Sequence, residues 1–204
     1  LTEQGLLPNI LSGASGGSIV GSLVCTHSDK ELKKMLDPDY LASIILSTPE
    51  IEAKANRMIP PLMEIEEIHA IVKRLIPDMT FKESFEKTGR ILNISVAPAE
   101  THQTSRLLNA TTTPNVLIRQ SVLASAAVPG IYPPVTLEAR DNYGQRKAYL
   151  PSRKWVDGSV SDDMPTKRLA RLYGVNHYIV SQTNPAVLPF VSDSLRPSGS
   201  RAII

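Results

Sequence analysis

The chain has 204 residues, 42% of them apolar and 21% charged, and a formal net charge of +2. This is an ordinary globular composition, long enough for one domain with a substantial core. Its near-neutral balance, with Arg and Lys scattered rather than striped among aromatics, gives no electrostatic case for nucleic acid. The single cysteine, Cys25, excludes an intrachain disulfide and a Cys-based zinc site. No run of 18 apolar residues suggests a transmembrane helix.

In chain order, Leu1–Pro8 reads as the last turn of a helix stopped by Gly5, which implies sequence upstream. Ile10–Val24 then reads as a short apolar strand, a glycine-tight turn and a helix over about Gly16–Thr26. Gly13-x-Ser15-x-Gly17 fits the nucleophile-elbow pattern, in which a sharp strand-to-helix turn lifts a serine hydroxyl clear of the sheet. The cramped turn asks for small neighbours, and the Gly16 N–H at the helix N-terminus suits a developing oxyanion. The same string also serves as a Gly/Ser turn capping a helix. Cys25, within the apolar helix, reads as a buried inert thiol.

Ser28 caps a short helix, Asp29–Leu36, which Pro38 ends or kinks. From Tyr40 to Pro77 the pattern is helical but broken by Pro49, Pro60 and Pro61, with pieces at 51–59 and 65–76. In the second piece Ile65, Ile68, Val72, Leu75 and Ile76 share one face, with His69 beside the stripe. Thr80-x-x-Glu83 is a capping box opening a helix that Gly89 stops. Ile91–Ala97 reads as a buried strand and Arg106–Asn109 as a short neighbour. Thr113-Pro114 predicts a helix start running to about Ala126, and Val128–Val135 an ordered proline-rich loop. Residues 136–139 and 147–150 flank a hairpin turn, Pro165–Tyr173 is a helix, and His177–Ser181 reads as a buried strand. Strands alternating with helices predict an α/β fold with a largely parallel sheet.

A serine hydroxyl needs a base to take its proton. Trp155-Val-Asp157-Gly158-Ser159 sets an aspartate between a short apolar strand and a glycine, which taken alone reads as a turn before it reads as a catalytic carboxylate. Gly13-Ala-Ser15-Gly16-Gly17 and Asp157-Gly158-Ser159, in that order, resemble the patatin-like phospholipase family. Ala124-Ser-Ala-Ala-Val-Pro129-Gly-Ile-Tyr-Pro-Pro134 is similar to the family's connecting segment A-S-x-A-x-P-G-x-F-P-P. The details are closest to the branch of bacterial patatin-like proteins and of fungal and plant triacylglycerol lipases carrying an N-terminal domain of unknown function.

The resemblance covers residues 1–190 and implies a partial patatin-like catalytic domain. That fold is a three-layer α/β/α sandwich with a largely parallel central sheet and a helical insert. Residues 191–204 are left as a polar tail or the start of a further segment. It implies a lipid acyl hydrolase working through a Ser–Asp dyad and an acyl-serine. Ser15 would be the nucleophile and Asp157 the proton acceptor, with Gly13, Gly16 and Gly17 shaping the elbow and oxyanion site and Gly158 the acceptor loop. The substrate would be a glycerophospholipid or an acylglycerol met at a lipid surface, with no metal, no organic cofactor and no nucleic acid. The location would be cytoplasmic or peripheral to a membrane. The family's upstream segment, G-G-G-x-x-G, has no counterpart in these residues, so the reading assigns function to a longer parent protein.

Two other readings use the same residues. Ser15, Asp157 and His177 stand in the Ser…Asp…His order of α/β-hydrolases, though His177 opens an apolar run, where a structural histidine fits better. A non-catalytic lipid-surface binder is the third reading. His27 and His102 have no partner spacing, and Asp162 and Asp163 read as a solvated acidic loop rather than a cation site.

Overall fold

The computed structural model describes residues 2–45, 64–100, 103–160 and 164–181. The chain divides into two compact units, Leu1–Pro165 and Thr166–Ile204. In the first, β1 (Ile10–Gly13) leads into α1 (Gly16–Thr26), α2 (Asp29–Met35), α3 (Pro38–Ile45), α4 (Ile65–Leu75) and α5 (Phe81–Thr88). There follow β2 (Ile91–Pro98), β3 (Arg106–Leu108), α6 (Ile118–Ser125), the hairpin β4 (Glu138–Arg140) and β5 (Arg146–Ala148), and β6 (Trp155–Asp157). A 3-10 turn, Gly158–Val160, follows β6. The second unit contains α7 (Thr166–Tyr173).

The architecture is α/β, with β2 as the axis of the sheet. Its register with β1 is parallel over four positions, the longest pairing, while β3 and β6 each pair with it antiparallel over three. Ile94 lies opposite both Gly13 of β1 and Leu108 of β3, and Val96 opposite both Arg106 of β3 and Asp157 of β6. A strand residue has one neighbour on each side, so β3 takes one edge of β2. β1 and β6 share the other edge, end to end.

The strand that carries this arrangement is almost wholly buried from Leu92 to Pro98. Around it Phe81, Leu92, Ile94, Val96, Ile118, Val122, Leu137 and Trp155 form one apolar cluster. Burying each such side chain contributes about 1.5–3 kcal/mol. Helices α1, α5 and α6 all pack on β2. Buried Asn93 on β2 is satisfied in turn, its Nδ2 donating to Leu11 O across to β1 and its Oδ1 accepting from Asn109 Nδ2.

Local signals account for most helix ends. The capping box of Thr80 with Glu83 forms, and Ser28 caps α2, here in a box with Glu31. Gly89 closes α5 at φ 70°, a left-handed conformation that glycine takes without strain. Pro38 opens α3 instead of merely ending α2, since proline at the first helical position lacks only an N–H that would have no partner there. The 51–59 piece of the helical insert lies outside the described residues.

Two expectations are corrected. Thr113-Pro114 does not start the helix, which begins at Ile118. Thr113 Oγ1 is occupied by the Asn109 backbone, while Pro114 O and Val116 O accept the N–H groups of Lys82 and Phe81. The segment thus makes bridges to Thr80 and Ala139, and tertiary pairing overrides the local cap signal. Residues 177–181 are not a buried strand: Ile179 is 78% and Val180 55% exposed. They have no strand partner among the described residues, and apolar composition without a partner for its backbone does not make a strand.

Candidate active site

β1 ends at Gly13 because the chain must turn back on itself to enter α1. A Cβ on Gly13 would lie 2.2 Å from Gly17 O and 2.7 Å from Ser18 N, so no other residue fits. Ser15 is the N-cap residue of α1, with φ 49° and ψ −124°, one of two described non-glycine residues at positive φ. Such a backbone costs about 1–3 kcal/mol and persists only where the surroundings over-determine it. Here they do. Ser15 N–H donates to Ser125 Oγ at 3.0 Å, and Ser15 O accepts from Ser18 Oγ at 2.6 Å and from Ser18 N–H at 3.0 Å.

Ser15 is half-buried, and its hydroxyl has no hydrogen-bond partner among the described residues. Gly17 N–H is taken by Ala14 O at 2.9 Å. Gly16 N–H, at the first position of α1, has no partner among the described residues and is exposed. A Cβ on Gly16 or Gly17 would meet nothing within 4 Å. The cramped-turn argument therefore applies to Gly13, while Gly16 and Gly17 face open space beside the serine.

Asp157 ends β6, with 2% of its surface exposed. β1 and β6 converge with their C-terminal ends facing each other, Gly13 opposite Ile94 and Asp157 opposite Val96. Those two partners are about 7 Å apart along β2. Asp157 Oδ1 accepts from Ser159 N–H at 2.9 Å, and the Asp157 N–H donates to Ala127 O at 3.0 Å. No hydrogen bond joins the carboxylate to the Ser15 hydroxyl in this arrangement. Gly158 lies directly on β2: a Cβ there would be 2.4 Å from Ser95 Oγ and 2.6 Å from Ser95 C and Val96 N. Ser15 and Asp157, 142 residues apart in sequence, are thus brought to one stretch of one strand.

The far end of α1 is fixed by buried Arg90, which donates to Val24 O at 3.2 Å and His27 O at 3.0 Å and pairs with Asp29. Cys25 is buried beside it, and burial pushes its thiol up to about 12, with the Arg90 charge only partly opposing; it is an inert core residue. His27 Nδ1 lies 2.8 Å from Leu23 O, and His69 is exposed. His177 is exposed, its Nδ1 2.7 Å from Asn176 Oδ1 of the same unit. His102, Asp162 and Asp163 lie outside the described residues. No metal-binding group of His, Cys, Asp or Glu is found among the described residues.

One participant escaped the sequence reading. Ser125 entered it only as a letter of a recognised segment. Its hydroxyl, fully buried, accepts from Ser15 N–H and donates to Ser95 O at 2.8 Å. The signal was present in Ala124-Ser-Ala-Ala127, but nothing in a string of small residues says which backbone group a hydroxyl reaches.

A family model described as patatin-like phospholipase matches residues 1–170. The chain belongs to the patatin-like phospholipase family. Its α/β architecture fits the α/β/α fold implied by that membership. A patatin-like phospholipase domain-containing protein of Pyricularia oryzae is 38% identical over 197 residues, 95% of this chain and 25% of that protein. A protein of the same description from Yarrowia lipolytica is 37% identical over 193 residues, 93% of this chain and 24% of its own length. Triacylglycerol lipase 4 of Saccharomyces cerevisiae is 36% identical over 210 residues, covering 96% of this chain and 23% of the yeast protein. The chain spans about a quarter of the length of these relatives. No described helix of this patatin-like chain is long and apolar enough to cross a membrane.

Proposed function

We propose that the full-length protein is a lipid acyl hydrolase in which Ser15 is the nucleophile and Asp157 the base, with residues 1–190 forming part of its catalytic domain. The observation that carries this reading is the convergence of β1 and β6 on one edge of β2, with an unbonded serine hydroxyl at one end and a buried carboxylate at the other. The hydroxyl attacks the ester carbonyl carbon while its proton passes to Asp157. Oδ2 is the oxygen free to take it, Oδ1 being held by Ser159 N–H. The C=O bond becomes an oxyanion, which Gly16 N–H and the positive end of α1 stabilise. The intermediate collapses, the C–O bond to the alcohol breaks, and the alcohol leaves with the proton from Asp157. Asp157 then takes a proton from water, whose oxygen attacks the acyl carbon; the bond to Ser15 Oγ breaks, Asp157 returns the proton to that oxygen, and the fatty acid leaves with the hydroxyl and carboxylate restored. Hydrogen bonds of this kind tighten when substrate binds.

The substrate class is an acyl ester of glycerol. The names of the relatives favour both phospholipid and triacylglycerol: a phospholipase domain in two of those described and a triacylglycerol lipase in the third. Such substrates are met at a lipid surface, so contact with membrane or droplet is peripheral and the location cytoplasmic or membrane-associated. The test is hydrolysis of a short-chain nitrophenyl ester, and of phosphatidylcholine and trioleoylglycerol emulsions, by the full-length protein. Ser15→Ala and Asp157→Asn should each fold and lose about 10³-fold or more of kcat. A folded Asp157→Asn that retains wild-type turnover would end the dyad reading.

A further inference from the structure

The strained backbone of Ser15 needs something to hold it, and the residue that does so from across the fold is Ser125. Its Oγ accepts the Ser15 N–H at 3.0 Å and donates to Ser95 O at 2.8 Å, with no exposure to solvent. A hydroxyl carries one proton and two lone pairs. Giving that proton to Ser95 leaves a lone pair directed at Ser15, so the arrangement is orientation-specific rather than incidental. Ser95 is the position on β2 between Ile94, opposite Gly13, and Val96, opposite Asp157. It is also where Gly158 presses on the strand. Two residues beyond Ser125, Ala127 O accepts the Asp157 N–H at 3.0 Å. The segment from Ser125 to Ala127 therefore grips the serine turn through a side chain and the aspartate strand through a carbonyl.

We infer that Ser125 is a positioning residue: its hydroxyl ties the Ser15 turn to the strand position shared with Asp157 and so fixes the separation and aim of the two. This rests on the Ser15–Asp157 reading above. Without the hydroxyl, Ser15 N–H and Ser95 O lose their shared partner and the turn is free to relax from φ 49°. A shift of about 1 Å at a nucleophile costs on the order of 10²-fold in rate.

The same helix supplies a matched control. Ser121, one turn earlier, is equally buried, but its Oγ donates to Leu117 O of its own helix turn at 2.9 Å and reaches nothing near Ser15. The experiment measures, in the full-length protein, melting temperature, kcat and KM on a nitrophenyl ester, and the rate of Ser15 labelling by a fluorophosphonate. Wild type, Ser15→Ala, Ser125→Ala, Ser125→Thr and Ser121→Ala are compared. Ser125→Ala should lower kcat and the labelling rate by about 10- to 100-fold with KM nearly unchanged. Ser125→Thr, which keeps the hydroxyl, should recover most of the loss, and Ser121→Ala should lose stability without losing labelling. Should Ser125→Ala fail to fold, Ser125→Cys decides, because a thiol nearly conserves volume but is a weak acceptor and should show the same fall. A folded Ser125→Ala or Ser125→Cys that labels within threefold of wild type overturns the inference. So does a Ser121→Ala that falls as far. A wild type whose labelling survives Ser15→Ala unchanged instead sinks the underlying assignment of Ser15.

Discussion

The edge of β2 around Ser95 and the surface around Asp78 both join segments far apart in the chain, and they do so with different forces. At the first, β1, β6, α6 and Gly158 meet through backbone pairing, neutral hydroxyls and close backbone contacts, with Asp157 at the end of β6. At the second, Asp78 accepts from Arg140 Nη2 at 3.0 Å and from Arg146, while Arg140 also reaches Glu83 at 2.6 Å and Arg146 reaches Glu138 at 3.2 Å. Burial pushes the Asp78 carboxyl up, but the hydrogen bonds and charges of Arg146 and Arg140 outweigh it and hold the group below its ordinary value. Neutral, close-packed contacts set a geometry to fractions of an ångström and ignore salt and pH. Ion pairs at a half-exposed surface hold the hairpin to the helix start more loosely and respond to both. The site is built in the first way and its scaffold is fastened in the second.

The largest expected break in that comparison is Gly158→Ala. A methyl group would lie 2.6 Å from two backbone atoms of β2, so the strand or the aspartate must move. Loss of about 10²-fold or more in turnover is expected, with destabilisation of about 1–3 kcal/mol. Gly16→Ala, whose methyl meets nothing within 4 Å, should instead melt within about 0.5 kcal/mol of wild type. Equal melting temperatures for the two variants would show that the close approach at Gly158 does not matter.

Asp78→Asn should leave kcat unchanged and cost about 1 kcal/mol, a penalty that shrinks in 1 M salt as the pairs are screened. Acid sharpens the contrast. A carboxyl with a depressed folded pKa contributes stability above its unfolded value, and that contribution disappears as pH falls through the folded one. Melting of the wild type should therefore decline below about pH 4, and more steeply than that of Asp78→Asn. Parallel acid curves for the two proteins would remove Asp78 from the account. Glu31, held down to about 2 by the Ser28 N–H and then by Lys87, is a half-exposed surface group and adds little to the same slope. The smallest effect is expected for His177→Ala, whose ring bonds the neighbouring Asn176. Turnover within about twofold of wild type is expected, and a loss approaching that of Ser15→Ala would restore the triad reading.

How far the site could be read in advance differs from residue to residue. The turn after β1 was legible because Gly13, Ser15 and Gly17 are neighbours, and the helix they start begins and ends where the string suggests. The cap at Ser28 and the box at Thr80 were legible for the same reason: donor and acceptor lie three residues apart. Thr113-Pro114 misled because Val116 and Pro114 spend their carbonyls on residues some 30 positions earlier. Residues 177–181 misled because an apolar run forms a strand only beside another strand.

By itself, then, the sequence determined most local turns and caps, the buried strand at Ile91–Ala97 and the family, since each depends on residues close together or on their order along the chain. Only the tertiary structure decided that β1 and β6 share an edge of β2, that Gly158 must be glycine while Gly16 need not be, and that Ser125 holds Ser15. Those facts rest on hydrogen bonds and contacts between residues 30 to 110 positions apart, and the energy of such contacts depends on distances that no local pattern records.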